Sequence, residues 1–217
     1  VNDVNPNKKI YVNFTDGTYT SGAPWNNTSK VPALNDVFAN LNDETGANSG
    51  IGLKVMTSWQ SIGNGTNNLG VNTGNNSGVY PDAVIRSAYW SNTTMQTIQI
   101  NGLDVNTKYK LTFFGSRGAV SDNRTTMYTV NGNSVSLNAA NNSQNTVSLM
   151  DLQPDVNGTL SLNIKNGTGS SYAYLNAMVI EGIYDDGTVP AKPRNLSAQA
   201  TNGHVNLAWT DAAYNET

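Results

Sequence analysis

Apolar side chains recur at every second position through most of this chain. A period of two is the signature of β-strands, whose successive side chains point to opposite faces of a sheet. Several of these runs are bounded by Asn-Gly pairs, which are typical of tight turns. We therefore predict an all-β fold, with strands at the following alternating positions: Ile10, Val12 and Phe14; Ile51, Leu53 and Val55; Ile98 and Ile100; Tyr109, Leu111 and Phe113; Val135 and Leu137; Val147 and Leu149; Leu160, Leu162 and Ile164.

Three segments depart from this alternation. Residues 172–180 are apolar on both faces, which predicts a central strand covered on both sides, with Tyr172 and Tyr174 in the core. Residues 32–39 predict a short helix, and residues 81–88 predict a helical turn. The fold class expected is thus an antiparallel β-sandwich with a short helix or two.

One crossover between strands has a recognisable pattern. The strand ending at Ile100 is followed by Asn101-Gly102, by Leu103, and then by Tyr109 at the start of the next strand. This spacing predicts a tyrosine corner, in which the phenol hydroxyl bonds to the backbone upstream and fixes the crossover. The alternative is an ordinary core tyrosine without that hydrogen bond.

Composition explains why polar residues do not oppose this fold. Charged residues make up 12% of the chain and hydrophobic residues 37%, while Asn alone occurs 34 times. Asn favours turns and is a poor helix former.

The net charge of −3, without a basic cluster, argues against nucleic-acid binding. No apolar stretch is long enough to predict insertion into a membrane. A neutral, Asn-rich surface favours a secreted or cell-surface setting, and we expect a mature chain without its leader.

A change of pattern near residue 184 predicts two domains. We assign residues 1–185 to the β-sandwich, 186–193 to a Pro-containing linker, and 194–217 to a second domain. The last segment carries Leu196-x-Ala198, Asn202-Gly203 and Val205-x-Leu207-x-Trp209. It resembles the opening two strands of a fibronectin type III domain, and the resemblance implies that Trp209 is the core tryptophan of a truncated sandwich.

The sequence lacks the residue patterns of the common catalytic sites. The only histidine is His204, so the first domain has no Ser-His-Asp triad, and without cysteine a zinc site lacks ligands. The Gly-Ser pair at Gly115-Ser116 is preceded by Phe114, where a nucleophile elbow requires glycine. We therefore expect no enzyme activity and no cofactor. A glycoside hydrolase, which would need two facing carboxylates, is kept as an alternative.

The first domain contains a series of short motifs: Tyr11-Val-Asn13-Phe14, Pro24-Trp25-Asn26-Asn27, Tyr80-Pro81-Asp82, Phe113-Phe114-Gly115-Ser116-Arg117, Asp122-Asn123-Arg124 and Tyr172-x-Tyr174-Leu175. In these motifs it resembles the galactose-binding-like jelly-roll domains of secreted and surface multidomain proteins of carbohydrate-degrading bacteria. The resemblance implies a non-catalytic module that binds polysaccharide or glycan within a larger chain, together with that chain's other domains. It also admits one structural Ca²⁺, for which residues 42–46 are the candidate loop. Asn13 stands where the family commonly has an acid.

Aromatic, amide and guanidinium side chains in loops make up the candidate ligand site. Aromatic rings cover the C–H face of a sugar, while amides and guanidinium groups bind hydroxyls. Two alternatives stay open for individual residues: an arginine could fix its loop by pairing with Asp122, and Trp25 could close the end of the sandwich. A structural spacer or adhesive domain without a ligand is the competing function. The predicted ligand-binding residues are Trp25, Asn26, Asn27, Tyr89, Trp90, Arg117, Asn123 and Arg124, with either Tyr89 or Trp90 at the rim.

Overall fold

The computed structural model describes residues 8–60, 63–183, 194–201 and 204–210. Contacts divide the chain into a unit over residues 1–183 and a second over residues 184–217. The predicted linker at 186–193 lies outside the described residues. The two units are considered separately below.

Two antiparallel-dominated sheets form the body of the first unit. The strands of the first sheet are β1 (Lys9–Asn13), β2 (Trp25–Asn27), β8 (Lys108–Phe114), β11 (Val147–Leu152) and β14 (Ala177–Ile183). Those of the second are β3 (Val37–Phe38), β4 (Gly52–Val55), β7 (Gln96–Asn101), β9 (Thr125–Val130), β10 (Asn133–Asn138) and β12 (Leu160–Asn166). The five strands of the first sheet have the order β11-β8-β14-β1-β2, and the six strands of the second have the order β10-β9-β12-β7-β4-β3.

The inward positions of these two sheets form one hydrophobic core. Val12 of β1 and Leu111 of β8 belong to the same buried cluster as Leu53 of β4 and Leu162 of β12. The alternating burial along β7 and β12 matches the predicted period of two. The all-β, sandwich-like fold predicted from the sequence is confirmed.

A third, smaller sheet carries much of the candidate site. It has the order β13-β6-β5, formed by β5 (Asn64–Asn67), β6 (Ala88–Ser91) and β13 (Ala173–Leu175). The single helix of the described residues, α1 (Asp82–Arg86), precedes β6 and confirms the helical turn predicted at 81–88. It buries Val84 and Ile85.

The helix predicted at residues 32–39 is wrong. Asn35 has a positive φ of 67°, and the Asp36 carboxylate accepts hydrogen bonds from the Ala33 backbone and the Lys30 ammonium. These local bonds favour a turn over a helix. Residues Val37 and Phe38 then pair with β4 as a short edge strand.

The predicted central strand over residues 172–180 is two strands in different sheets. Ala173–Leu175 pairs with β6, whereas Ala177–Ile183 lies between β8 and β1 in the five-stranded sheet. Asn176 lies at the break and is fully buried. Residues 173–180 are buried on both faces, as predicted, whereas Tyr172 is half-buried and the predicted continuity of the strand is wrong.

The tyrosine corner is confirmed. The Tyr109 hydroxyl accepts a hydrogen bond of 2.9 Å from the Asp104 backbone N–H, and Leu103 is buried. Gly158 packs so closely on this crossover that an added Cβ would lie 2.3 Å from the Leu103 carbonyl oxygen. Glycine is therefore required at this turn.

The second unit contains one antiparallel hairpin among its described residues, formed by β15 (Arg194–Thr201) and β16 (His204–Thr210). Two strands cannot enclose a core of their own. Trp209, the residue that the fibronectin resemblance places in a core, is 58% exposed. The assignment to the fibronectin class stays a prediction.

Candidate functional site

An open cavity of about 450 Å³ lies where the three-stranded sheet meets the loop between β8 and β9. Strand β5 and the residues after it supply one wall, Trp90 and Tyr174 come from β6 and β13, and the arginines come from the loop. Its lining residues are Thr66, Asn67, Asn68, Leu69, Trp90, Arg117, Arg124, Tyr172 and Tyr174. The structure thus brings together three residues predicted from the sequence: Trp90, Arg117 and Arg124.

Backbone hydrogen bonds on both sides fix the position of Arg117. Its N–H donates to the Ala139 carbonyl and its own carbonyl accepts from the Asn141 N–H, both at 2.7 Å. The guanidinium group is less well satisfied. Its Nη1 makes one long bond of 3.4 Å to the Leu69 carbonyl, and its Nε is buried without a hydrogen-bond partner in the described chain.

Arg124 has protein partners for its charge, its hydrogen-bond donors and its planar face. Its Nε donates to Asp122 Oδ1 at 2.9 Å, its Nη1 donates to the Tyr174 hydroxyl at 2.8 Å, and its Cζ lies 4.5 Å from the centre of the Tyr172 ring. The hydrogen bond from Arg124 lowers the pKa of Asp122 below its ordinary value. Burial raises the pKa of Tyr174, and the charge of Arg124 opposes that shift. The loop-fixing role considered as an alternative from the sequence is therefore what Arg124 performs in this structure.

Two half-buried aromatic rings border the same cavity. Trp90 and Tyr172 pack edge to face with centroids 5.8 Å apart. The Trp90 indole N–H donates to the Thr66 carbonyl at 2.8 Å, which fixes the orientation of its ring. Tyr172 was expected in the core, whereas it is half-buried and lines the cavity.

Asn68 lines the cavity and is held by Asp16. Its Nδ2 donates to Asp16 Oδ2 at 3.2 Å, and because a carboxylate only accepts, the amide nitrogen must face Asp16. The amide oxygen Oδ1 is therefore directed away from Asp16, and it is buried without a partner among the described residues. Arg117 and Asn68 thus each contain one buried polar atom without a partner, beneath the surface of the cavity.

A second cavity of about 520 Å³ adjoins the first and shares Asn68, Leu69 and Arg117 with it. Arg86 and Asn141 are among its further lining residues. The Cζ atom of Arg86 lies 4.1 Å from the centre of the Tyr19 ring. Arg117 is therefore the cation that both cavities have in common.

A buried polar network holds the base of this region in place. Asn176 Oδ1 accepts from the Ser116 N–H at 2.8 Å, and Asn176 Nδ2 donates to the Ile85 carbonyl at 2.7 Å. The Ser116 hydroxyl donates to the Asn142 carbonyl at 2.7 Å and accepts from the Val71 N–H at 3.0 Å. These bonds connect helix α1, the end of β8 and the strand break, so the backbone that carries Arg117 is rigidly positioned.

Trp25 does not line the cavity around the arginines. It lies in strand β2, parallel to β1, and not in the loop expected from the sequence. Its ring packs edge to face against Tyr11 and Tyr80, with centroids 5.3 and 5.0 Å apart. Burial beside Trp25 raises the pKa of Tyr80 to about 12. The expected meeting of Trp25 with both arginines at one rim is therefore wrong.

The amides of Asn26 and Asn27 are occupied by internal hydrogen bonds. Asn26 Nδ2 donates to the Tyr11 and Asn42 carbonyls, and its Oδ1 accepts from the Asn42 N–H. Asn27 Oδ1 accepts from Asn13 and Ser21, and its Nδ2 donates to the Ser21 carbonyl. Both amides fix the β1–β2 region and neither lines the two cavities described above.

The remaining predicted residues separate into core and loop positions. Tyr89 is fully buried, and its hydroxyl donates to the Lys30 carbonyl at 2.8 Å, so of the Tyr89-Trp90 pair it is Trp90 that lies at the rim. Asn123 is exposed and donates to the Thr168 carbonyl at 3.0 Å. It lies beside Arg124 without lining the cavity.

The loop considered for Ca²⁺ directs its carboxylate at other partners. Asp43 Oδ1 accepts from the Thr45 N–H and hydroxyl and from the Ala47 N–H, while Oδ2 lies 2.7 Å from the Lys8 ammonium. The hydrogen bond from Lys8 lowers the pKa of Asp43 well below its ordinary value. Within the described ranges, no group of three or more His, Asp or Glu residues is arranged to hold a metal ion.

Sequence reasoning missed Asn68, Arg86, Tyr172 and the Tyr174 hydroxyl as parts of this region. The segments that carry them are joined by pairing across the three-stranded sheet, which no local pattern reveals.

None of the described helices has the length and apolar character needed to cross a membrane.

The arrangement defines an all-β sandwich unit with an open, aromatic- and arginine-lined cavity. No protein-family model and no curated protein matches this chain. Several solved structures are similar in part. The Bacteroides uniformis β-glucuronidase 2 is 10% identical with a TM-score of 0.41, and the match covers 81% of this chain and 18% of that one. The ANXUR1 extracellular domain of Arabidopsis thaliana is 12% identical with a TM-score of 0.44, over 81% of this chain and 48% of that one.

A third likeness is to the exo-β-1,3-galactanase of Phanerochaete chrysosporium, at 20% identity and a TM-score of 0.28, over 44% of this chain and 23% of that one. The match thus spans less than half of each of these three proteins. Two of the three are carbohydrate-active enzymes by name. Likenesses of this degree carry no argument about function, which has to come from the site.

Proposed function

We propose that the first unit binds carbohydrate, without catalysis, in the cavity lined by Trp90, Tyr172, Asn68 and the two arginines. The observation that carries the proposal is the pairing of two half-buried aromatic rings, Trp90 and Tyr172, with Arg117, whose guanidinium group forms no ion pair among the described residues and makes one long hydrogen bond. A guanidinium group engaged this weakly keeps donors available for a ligand.

Sugars match this combination of groups. A hydroxyl oxygen accepts hydrogen bonds, so neighbouring hydroxyls of a sugar ring can engage the donors of one guanidinium group together. The C–H face of the ring is apolar and packs on aromatic side chains. The strands and the buried network around Asn176 supply the rigid support that such a site needs.

Absence of catalysis is the second part of the proposal, and the state of the nearby carboxylates supports it. Neither cavity includes Asp or Glu among its described lining residues. Asp122 is paired with Arg124, and Asp16 accepts from Thr18, Thr66 and Asn68. Glycoside hydrolysis needs two carboxyl groups facing each other across the substrate, one of them free to protonate the leaving group.

The unit would serve as a binding module of a larger secreted or cell-surface protein, with the other domains of that chain as its partners. A single open cavity gives weak binding, which several linked modules strengthen by raising the effective concentration. The extracellular setting rests on the neutral, Asn-rich composition and is part of the proposal.

Tyr172→Ala offers a direct test, with Tyr11→Ala as the matched control. Both tyrosines are half-buried and each packs edge to face on a tryptophan, with centroids 5.8 Å apart for Tyr172 and 5.3 Å for Tyr11, but Tyr11 lines neither cavity. Retention of the full chain would be measured by affinity electrophoresis in gels containing soluble polysaccharides. Loss of the aromatic contact is expected to weaken binding about three- to tenfold.

The result expected is retention of the parent chain and of Tyr11→Ala, and reduced retention of Tyr172→Ala with an unchanged circular dichroism spectrum. Equal retention of all three would place the site elsewhere, and a Trp25→Ala variant would then test strand β2. A parent chain that no neutral, carboxylated or sulfated polysaccharide retains would refute carbohydrate binding and favour the structural spacer.

A further inference from the structure

The two adjoining cavities differ sharply in charge from the protein as a whole. The chain has a net charge of −3, yet the charged side chains lining the two cavities are Arg86, Arg117 and Arg124, without a carboxylate among the described lining residues. Three cations gathered on one concave surface of an acidic protein create a local positive field. A ligand of opposite charge is the one that such a surface would favour.

The three arginines differ in how far protein groups already satisfy them. Arg124 is paired with Asp122 and bonded to Tyr174, so its charge is compensated. Arg86 stacks on Tyr19. Arg117 forms no ion pair and contacts no aromatic ring among the described residues. Its guanidinium group makes one long hydrogen bond, to the Leu69 carbonyl, and the charge of Asp122 acts on it only from beyond ion-pair distance.

From this difference we propose that the glycan bound at this site is acidic, and that its carboxylate or sulfate group pairs with Arg117 where the two cavities meet. This inference rests on the proposed carbohydrate binding and names the substrate class. A planar guanidinium group matches an oxyanion with two parallel hydrogen bonds, which gives both charge and geometry. Arg86, across the second cavity, reinforces the attraction without a bond to the same oxyanion.

The same geometry explains why a neutral sugar would bind to this site more weakly than an acidic one. Hydrogen bonds from Arg117 to hydroxyl groups would leave its positive charge without an ion-pair partner in a half-buried position. An oxyanion removes that cost, and hydrogen bonds to charged groups are stronger than those between neutral groups. The second cavity continues beyond Arg117, so the charged sugar can belong to the interior of a polymer.

Pairs of probes that differ only in charge test this inference. Polygalacturonate would be compared with its methyl ester, and a sulfated galactan with its desulfated form, by isothermal titration calorimetry of the full chain. The variants are Arg117→Gln, which removes the charge, Arg117→Lys, which keeps the charge and loses the planar fork, and Lys165→Gln. Lys165 is exposed and lines neither cavity, so it controls for a change of one unit in net charge.

We expect one acidic probe to bind about ten- to hundredfold more tightly than its neutral counterpart, and Arg117→Gln to abolish that preference. Lys165→Gln should retain it, and Arg117→Lys should fall between. Which acidic probe binds distinguishes a carboxylate from a sulfate. The Lys variant also shows whether a loss in Arg117→Gln reflects charge, because it keeps the long aliphatic stem and the packing of the loop.

Equal affinity for the acidic and neutral members of both pairs would overturn the acidic preference while leaving carbohydrate binding intact. An acidic preference that persists in Arg117→Gln would also overturn the assignment to Arg117. If no probe of either kind binds, the proposed function itself fails. The two levels of the proposal therefore fail by different results.

Discussion

The fully buried Asn176 gives the sharpest prediction about stability. Replacing it by Leu, which is similar in volume, leaves the Ser116 N–H and the Ile85 carbonyl without their bonds of 2.8 and 2.7 Å. Each unpaired buried group costs about 1–3 kcal/mol. The added apolar surface offsets about 1–2 kcal/mol of that total. The net destabilisation expected for Asn176→Leu is about 3 kcal/mol.

The assay is urea unfolding of the full chain, followed by near-ultraviolet circular dichroism, together with calorimetric melting. For a chain of this size, 3 kcal/mol corresponds to a melting temperature lower by about 6–12 °C. Asn106→Leu is the matched control, because Asn106 is exposed and the same substitution there should change stability by less than about 0.5 kcal/mol. An Asn176→Leu protein within about 1 kcal/mol of the parent would refute the reasoning that these two bonds fix the strand break.

Two further predictions concern the tyrosine corner and the stability of the fold at low pH. Tyr109→Phe removes the acceptor of the Asp104 N–H and should cost about 1 kcal/mol, measured as a lower urea midpoint; an unchanged midpoint would mean that the corner hydrogen bond contributes nothing. The pKa of Asp43 lies below its unfolded value of 3.8, chiefly because of Lys8, so its contribution is present above pH 4 and is lost as the pH falls below that value. Asp43→Asn should therefore be less stable at pH 7 but lose less between pH 4 and pH 2, and parallel pH profiles of the two proteins would contradict this.

The strands of the sandwich could be predicted because their cause is local. Along β7 and β12 each second residue faces the core, and this alternation is written directly in the sequence. The tyrosine corner is also local, since five residues separate Tyr109 from the N–H that it binds. The helix predicted at residues 32–39 does not form because a hydrogen bond to the Asp36 carboxylate favours a turn. The pattern of apolar residues does not show this hydrogen bond.

The strand break at Asn176 and the cavity could not be predicted in the same way. The apolar run contains a single Asn, which does not by itself indicate a break. Only the strand partners reveal the change of sheet: β6 for the first half, and β8 and β1 for the second. Likewise Asn68 and Arg117, which are 49 positions apart, line the same cavity because of the path of the chain after β5. Arg117 and Trp90 could be proposed from their residue types, whereas their meeting with Tyr172 depends on distant strand pairing.

The reliance of the loops on neutral amides has a consequence for the environments that the protein can tolerate. Asn26, Asn27, Asn142 and Asn176 each anchor separate chain segments, and their hydrogen bonds carry no net charge. Dissolved ions screen charge pairs but leave such bonds largely unaffected, and amides do not titrate near neutrality. The scaffold should therefore keep its shape from fresh water to brine, while the affinity of its arginine-lined surface varies with salinity.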